Sequence, residues 1–162
     1  MKRQDFRKIK RFIRFDKKSK RRQLIVHDKF IMFSWVLERF NENSQKAFIP
    51  NYSLTVDEQL FPSKARCPFT QYMPNKPDKF GIKFWVLVDC ETKYCLNIKP
   101  YLSKDVNRVG SLETHVVMTL AKPYFNKGYN ITMDNFFTSL DLTKKVLAKK
   151  TSVVGTMRNY RR

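Results

Sequence analysis

The sequence is poor in residues that define several protein classes. It contains only four glycines and seven prolines in 162 residues, which excludes a collagen-like or low-complexity chain. The three cysteines are odd in number and lack a C-x-x-C spacing, so neither a disulfide framework nor a zinc module is expected. They favour a reducing compartment and are expected to be small, buried or half-buried apolar groups. They are Cys67, Cys90 and Cys95.

Long apolar runs are also missing. No stretch approaches the roughly 18 to 20 apolar residues that span a bilayer. Residues 1–5 include basic side chains, but the apolar segment of a secretory signal does not follow them. We therefore expect no membrane partner.

Acidic residues are scarce relative to basic ones. The chain has 14 Asp and Glu against 33 Lys and Arg, a formal net charge of +19. Such a balance needs a polyanionic partner, and nucleic acid is the commonest, ahead of anionic membranes and acidic proteins. With 42% hydrophobic and 14% aromatic residues, the chain has enough apolar material to fold.

Residues 1–48 are predicted to form a basic helical segment. Residues 2–22 carry 12 basic and two acidic residues. Apolar residues recur there with the period of a helix: Phe6, Ile9, Phe12, Ile13 and Phe15. We predict a helix over residues 2–15, whose stripe contacts a core or a dimer partner. A basic loop over residues 17–22 and a helix over residues 28–41, capped by Asp28, follow.

Residues 49–162 are predicted to form an α/β domain. Alternating apolar residues and turn signals predict the order β-ββ-α-β-α-β, and the prolines between residues 62 and 77 mark a loop. The strands are predicted at 52–61, 81–89, 94–101, 130–134 and 151–156. The helices are predicted at 112–125 and 140–149, with Ser111 and Ser139 as N-caps. Trp35 and Trp85 are expected in the core, whereas His27 and His115 are interpreted as structural or surface residues.

Two aspartates occupy positions typical of catalytic carboxylates. Asp57 lies in or at the end of the first strand, and Asp134 ends the strand that begins at residue 130. Carboxylates at the carboxyl edge of an α/β sheet can hold Mg²⁺ for phosphoryl transfer. The alternative is an aspartate that caps a turn, and the spacing alone leaves both interpretations open.

Several stretches are specific enough to compare with a known family. They are residues 54–60 (LTVDEQL), 66–69 (RCPF), 72–83 (YMPNKPDKFGIK), 132–139 (TMDNFFTS) with Leu142, and 154–158 (VGTMR). In order and spacing they resemble the piggyBac family of transposases and transposase-derived proteins. Residues 12–16 and 40–43 also resemble the segment that precedes the family's catalytic core, so the resemblance covers essentially the whole chain.

The resemblance implies an RNase H-like fold with three essential aspartates that bind Mg²⁺ or Mn²⁺. Asp57 matches the first aspartate and Asp134 the second. In this family the metal-bound site hydrolyses a transposon end, the freed 3′-hydroxyl attacks, and a hairpin intermediate is resolved before joining to a TTAA target. The resemblance therefore implies DNA as the partner, a nuclear location and action as a homodimer.

The sequence also departs from the family. The family's third aspartate lies on a helix beyond the last strand, and the candidates here are poor substitutes: Asp89 in a hairpin, Asp105 in a loop and Asp141 on an outward-facing helix. We therefore expect weak or absent metal binding and no transposase activity from this chain alone. It is interpreted as a fragment of a longer transposase or as a decayed or co-opted product. Ala65 also replaces a glycine, which would strain a position of positive φ.

Basic residues in both segments are candidates for binding DNA, although each is also explained as an ordinary solvated side chain. Asn135 either orients the metal ligands or belongs to a turn. The rival function is a domesticated, non-catalytic DNA-binding or chromatin-associated protein that kept the fold. The DNA-binding candidates are Arg66, Lys76, Lys79 and Lys83 near the first strand, and Arg14, Lys17, Lys18, Lys20, Arg21 and Arg22 in the N-terminal segment.

Overall fold

A computed structural model describes residues 1–103 and 110–157 of the chain. The chain divides into two compact units, residues 1–40 and 41–162. Asp105 and Arg158, both part of the sequence-based argument, lie outside the described residues. In the part of the chain that the structure describes, none of the helices has the length and apolar character needed to cross a bilayer.

The first unit is helical, as predicted. It contains α1 (Arg3–Phe12), α2 (Lys18–Leu24) and the beginning of α3 (Ile31–Ala47). Asp28 precedes α3 and accepts hydrogen bonds from the Phe30 amide at 2.8 Å and from the Ser34 hydroxyl. It thereby supplies the predicted N-terminal cap, because the first amides of a helix lack partners within it.

Two predictions for this unit were wrong, and a third fails in one of its two alternatives. Residues 17–22 are not a loop, because α2 begins at Lys18; Lys, Arg, Gln and Leu are all good helix formers. Trp35 is not in the core, since it is 59% exposed with the Arg39 guanidinium 5.9 Å from its ring centroid. Of the two contacts expected for the apolar stripe of α1, a core contact is not formed, because no residue of that helix is buried; a dimer contact stays a prediction.

The second unit is built on one mixed sheet. Its strands are β1 (Ser53–Pro62), β2 (Thr70–Tyr72), β3 (Phe80–Asp89), β4 (Cys95–Pro100), β5 (Asn130–Met133) and β6 (Ser152–Gly155). Their order is β2-β3-β1-β5-β6, with β4 also paired to β3. β1 is antiparallel to β3 and parallel to β5, and β5 is parallel to β6. β1 thus joins the antiparallel part of the sheet to the parallel part.

The helices of this unit confirm the predicted order and caps. They are α4 (Leu112–Leu120) and α5 (Leu140–Leu147), with a short 3₁₀ helix at Lys122–Tyr124. The Ser111 and Ser139 hydroxyls accept hydrogen bonds from the amides of Thr114 at 3.2 Å and Leu142 at 3.3 Å. α4 ends earlier than predicted, because Pro123 has no amide hydrogen with which to continue the helix.

The proline-rich segment contains one element that the sequence did not predict. β2 has only three residues and pairs with β3 at the edge of the sheet, where prolines nearby are tolerated. In the same segment, Ala65 is not among the described residues with positive φ. The strain predicted for this alanine is therefore absent.

Apolar side chains from one face of β1 and β5, from β3 and β4, and from the helices fill the core. β1 alternates buried and more exposed residues from Ser53 to Glu58, as a strand with one face on the core does. Trp85 is 2% exposed, which confirms its predicted place. The fully buried side chains include Leu54, Val56, Leu87, Leu96, Val117, Ile131, Phe137, Leu142 and Val146.

Candidate functional site

The parallel pairing of β1 with β5 brings the two candidate aspartates together. Cα partners run from Ser53 opposite Asn130 to Val56 opposite Met133. The next residue on each chain is Asp57 and Asp134. Because neighbouring strands lie about 4.8 Å apart, the backbones of these two residues are adjacent.

Asp57 is exposed because its strand outlasts its neighbour. The pairing with β5 ends at Val56, whereas β1 continues along β3 to Pro62. Val56 faces the core, so the alternation of side chains places Asp57 on the opposite face. Its Oδ1 accepts a hydrogen bond of 2.7 Å from the Glu58 amide. Asp57 therefore lies within its strand, at the point where the neighbouring strand stops.

Asp134 is held by a tight turn. Its Oδ1 accepts hydrogen bonds from the amides of Phe136 at 3.0 Å and Phe137 at 3.4 Å. Its carbonyl oxygen accepts from the Thr138 amide at 3.1 Å and from the Thr138 hydroxyl at 2.7 Å. The capping role considered for Asp134 is thus present in the turn, and it uses one of the two carboxylate oxygens.

Aromatic packing fixes this turn against the sheet. Phe137 is fully buried, and its ring meets Trp85 edge-on at 5.4 Å. Phe136 stacks on the same indole at 5.6 Å. Since both phenylalanines donate their amides to Asp134, their packing determines where that carboxylate lies.

Gly155 is a part of this arrangement that sequence reasoning did not single out. It lies on β6 opposite Met133. A Cβ atom at this position would lie 2.3 Å from the Thr138 hydroxyl oxygen and 3.0 Å from the Met133 carbonyl oxygen. A glycine therefore lets β6 approach the Asp134 turn.

Lys83 is more closely connected to the two carboxylates than its sequence position indicates. Its Nζ lies 3.9 Å from the Trp85 ring centroid and 5.4 Å from that of Phe136. Partial burial lowers the pKa of Lys83 below 10.5, although attraction to Glu58, Asp134 and Asp57 acts in the opposite direction. Lys83 is therefore a positive charge within the electrostatic reach of both aspartates.

Glu58 is an acidic residue near the site that the sequence reasoning missed. It pairs with the Lys76 ammonium at 3.5 Å. It lies opposite Trp85 in the antiparallel register, and therefore on the other face of β1 from Asp57. Its position next to Asp57 was the only signal in the sequence.

The two aspartates fit a hard divalent cation in part. Mg²⁺ prefers oxygen ligands and is commonly held by one or two carboxylates together with substrate phosphates. Within residues 1–103 and 110–157, no group of three or more His, Cys, Asp or Glu side chains has a metal-binding arrangement. The described residues thus bring together two candidate ligands, fewer than a complete cation site has.

The other acidic candidates serve different purposes. Asp89 is fully buried at the end of β3. Asp141 is exposed on α5, where it accepts a 2.7 Å hydrogen bond from Lys145. Asn135 is exposed beside Asp134. Neither Asp89 nor Asp141 joins the Asp57–Asp134 pair.

The basic candidates occupy two separate parts of the chain. Arg66 and Lys79 are exposed around β2, whereas Lys76 and Lys83 are partly buried. In the first unit, Arg21 forms a bidentate pair with Asp16 at 2.6 and 2.8 Å. The Arg14 guanidinium donates to the carbonyl oxygens of Arg11 and Ile13. The other candidates of that unit are exposed: Lys17, Lys18, Lys20 and Arg22.

Histidines and cysteines do not contribute to this site. His27 and His115 are exposed, and the His115 Nε2 lies 3.0 Å from the Lys99 ammonium. The three cysteines are free and partly buried, as the sequence predicted.

The chain is similar to transposases and to proteins derived from them. A family model described as "Transposase IS4" matches residues 1–162. The human PiggyBac transposable element-derived protein 3 and the human Chimeric ERCC6-PGBD3 protein are each 31% identical over 141 residues, which is 81% of this chain. The chain spans 23% and 13% of their respective lengths.

A solved structure gives a closer structural comparison. It is the cryo-EM structure of a piggyBac transposase synaptic complex with hairpin DNA. The match has a TM-score of 0.92 and 39% sequence identity. It covers the whole of this chain and 34% of the transposase chain.

Proposed function

Because this chain belongs to the piggyBac-type DDE transposases, we propose that Asp57 and Asp134 are two of the carboxylates that serve metal-dependent DNA cleavage and strand transfer. The observation that carries this proposal is the β1–β5 register, which makes the two aspartates neighbours. Residues 49–162 would then be part of an RNase H-like catalytic domain, and residues 1–48 a basic segment that precedes it.

Asp57 and Asp134 would hold Mg²⁺ or Mn²⁺ through carboxylate oxygens. A divalent cation at this position supplies Lewis-acid activation of a phosphate and lowers the pKa of bound water. The turn of Phe136 and Phe137 keeps Asp134 in place before DNA arrives. Asn135 would orient the neighbouring carboxylate, and Lys83 would offset part of the negative charge of the pair.

DNA is the substrate that the charge distribution favours. Arg66, Lys76 and Lys79 lie in the connections before and after β2 and would contact phosphates, together with Lys83. The N-terminal cations are separate candidates for phosphate contacts: Arg14, Lys17, Lys18, Lys20, Arg21 and Arg22. By resemblance to the family, the proposal also includes a nuclear location, TTAA targets and action as a homodimer on paired DNA ends.

We infer that this chain by itself binds metal weakly and lacks transposase activity. Two carboxylates hold a cation less firmly than three, and loss of one member of a catalytic group commonly costs orders of magnitude in rate. The intact mass of the native protein and the 3′ sequence of its transcript test this inference. A longer product with an acidic residue on a downstream helix would assign these residues to an active transposase.

A second candidate is a domesticated DNA-binding or chromatin-associated protein that lacks the chemistry. It is favoured by the net charge of +19 together with the similarity to a transposable element-derived human protein. In this case DNA binding weakens steeply with salt, because phosphate contacts release counterions. Cleavage would be absent at every metal concentration.

Metal-dependent nicking of duplex DNA by the native protein separates the two candidates. The catalytic proposal predicts nicking in Mg²⁺ or Mn²⁺ that Asp57→Asn and Asp134→Asn abolish and Asp141→Asn leaves unchanged. Salt-sensitive binding without nicking supports the second candidate. Nicking that survives both Asp57→Asn and Asp134→Asn would overturn the assignment of this site.

A further inference from the structure

Three large aromatic side chains are exposed at one end of the sheet. Phe61 is 61% exposed, Tyr72 56% and Phe80 59%. The rings of Tyr72 and Phe80 already contact each other, with centroids 4.8 Å apart. We call these three residues the aromatic platform. Aromatic side chains ordinarily bury most of their surface, so this platform is a candidate binding surface.

The strand registers place the platform on one face. Tyr72 is directly opposite Phe80 in the β2–β3 pair. Phe61 is opposite Ile82 in the β1–β3 pair, which makes Phe61 and Phe80 diagonal neighbours, about 7–8 Å apart between their Cα atoms. All three side chains therefore project to the same side of the sheet.

That side is also the side of Asp57. Asp57 and Phe61 are four residues apart on β1, and side chains of a strand return to the same face every second residue. At about 3.3 Å per residue, Phe61 lies roughly 13 Å from Asp57 along the strand. This distance corresponds to about four base steps of a DNA strand at 3.4 Å each.

The surroundings of the platform are basic. Residues 61–80 contain four basic residues and one acidic residue: Lys64, Arg66, Lys76 and Lys79, with Asp78. Lys64, Arg66 and Lys79 are exposed, whereas Lys76 is paired with Glu58. Exposed rings among cations are the combination with which proteins hold unpaired nucleotides, because each base stacks on a ring while cations contact the backbone.

The backbone beneath the platform is closely packed. A Cβ atom on Gly81 would lie 2.2 Å from the carbonyl oxygen of Phe61. Glycine thus allows β1 and β3 to approach at the position between Phe80 and Ile82. The three rings therefore lie on or beside paired strands. Because these strands are already ordered, a ligand loses less binding free energy to ordering the backbone.

We propose that the aromatic platform stacks unpaired nucleobases of DNA, beginning about four nucleotides from the position held at Asp57. The proposal rests on the proposed function for the identity of the ligand as DNA. It adds a subsite for unpaired bases, which the carboxylate pair does not provide. Sequence selectivity is not part of it, because every base offers a face for stacking.

The test compares the affinities of the native protein for single-stranded and duplex DNA of equal length, by fluorescence anisotropy without divalent metal. Tyr72→Leu and Phe80→Leu are expected to weaken single-strand binding about tenfold or more, the loss expected for one base–aromatic stack. Binding to the duplex should change by less than about twofold, since the phosphate contacts remain. Tyr72→Trp should retain single-strand binding.

Tyr52→Leu is the matched control. Tyr52 is 63% exposed and precedes β1 at the end far from the platform, so its loss should leave both affinities unchanged. A strand carrying 2-aminopurine reports stacking directly: its fluorescence should be quenched by the native protein and recover with Tyr72→Leu. Equal losses of affinity for single-stranded and duplex DNA, or no loss for either, would overturn the proposal that the platform stacks bases.

Failure of the platform is distinguishable from failure of the proposed function. The binding and quenching measurements need neither metal nor strand cleavage, and they do not involve Asp57 or Asp134. If nicking is abolished by Asp57→Asn but Tyr72→Leu leaves single-strand binding intact, the platform alone is wrong. If quenching occurs without nicking, the platform stands and the catalytic proposal fails.

Discussion

The β1 strand is associated with aspartates in opposite surroundings. Near its beginning, Leu54 lies opposite Asp89, whose side chain is inaccessible to solvent. Asp89 Oδ1 accepts a 2.8 Å hydrogen bond from the Asn51 amide, and Oδ2 accepts from the Thr92 amide at 2.8 Å and hydroxyl at 2.7 Å. Farther along, Asp57 and Asp134 are exposed.

The comparison separates a carboxylate that holds the fold from carboxylates suited to a ligand. At Asp89 burial raises the pKa, but the hydrogen bonds from Thr92 and Asn51 outweigh it, so the pKa is lowered from 3.8. Asp57 and Asp134 use Oδ1 for local amides, which leaves each with a second oxygen on the surface. Asp57 and Asp134 therefore differ from Asp89 in their exposure and in having one carboxylate oxygen that the local amides do not use.

The largest difference is expected in stability. Asp89→Ala would leave the amides of Asn51 and Thr92 without their charged acceptor, and hydrogen bonds to charged groups contribute about 1.5–3 kcal/mol each. We expect a loss of about 3 kcal/mol or more in the free energy of unfolding, measured by urea denaturation. Asp57→Ala, the matched control, should change it by less than about 0.5 kcal/mol. Equal losses would refute the comparison.

The dependence of the free energy of unfolding on acidic pH should also reveal the contribution of Asp89, with a smaller effect. Because the pKa of Asp89 is lower in the folded protein than 3.8, the unfolded chain binds its proton first as the pH falls. The stabilisation is complete above 3.8 and is lost as the pH drops through the folded value. Asp89→Asn should flatten this loss in urea denaturations between pH 5 and 2.5. An unchanged slope in that variant would show that other groups control acid unfolding.

Sequence reasoning predicted the order of strands and helices because alternation and N-caps are local signals. It assigned Asp89 to a hairpin, Asp57 to a strand or its end, and Asp134 to a strand end. The register between β1 and β5 could not be predicted, since it depends on packing between segments more than 70 residues apart. For the same reason, neither the burial of Asp89 nor the place of Lys83 over Trp85 was visible. α2 and β2 were missed because charge and proline content dominated their interpretation.

The effect of the Lys83 charge on cation binding by Asp57 and Asp134 can be tested directly. Removing its charge with Lys83→Met should strengthen Mn²⁺ binding, because a cation near Asp57 and Asp134 repels another cation. An effect of about two- to fivefold in Kd is expected for a unit charge several ångströms away in a water-like dielectric. Electron paramagnetic resonance of free Mn²⁺ measures this change.

Lys79→Met controls for a general loss of positive charge. Lys79 is exposed on the approach to β3, and its substitution should change the Mn²⁺ affinity by less than Lys83→Met does. If the two variants have equal effects, only the net charge of the protein acts on the cation. If Lys83→Met weakens Mn²⁺ binding, Lys83 instead supports the geometry of the pair.

The smallest effect is expected at an exposed aspartate that has a partner but no candidate ligand role. Asp141 contacts Lys145 at 2.7 Å across one turn of α5, with 70% and 51% of the two side chains exposed. Such pairs contribute about 0.3–0.5 kcal/mol and are screened by salt. Asp141→Asn should therefore lower the free energy of unfolding by about 0.5 kcal/mol in dilute buffer and by less in 1 M NaCl. A loss above about 1.5 kcal/mol that persists in salt would mean that exposed carboxylates also hold this fold together. In that case the exposure of Asp57 and Asp134 would no longer separate them from Asp89, and their assignment would depend on the β1–β5 register alone.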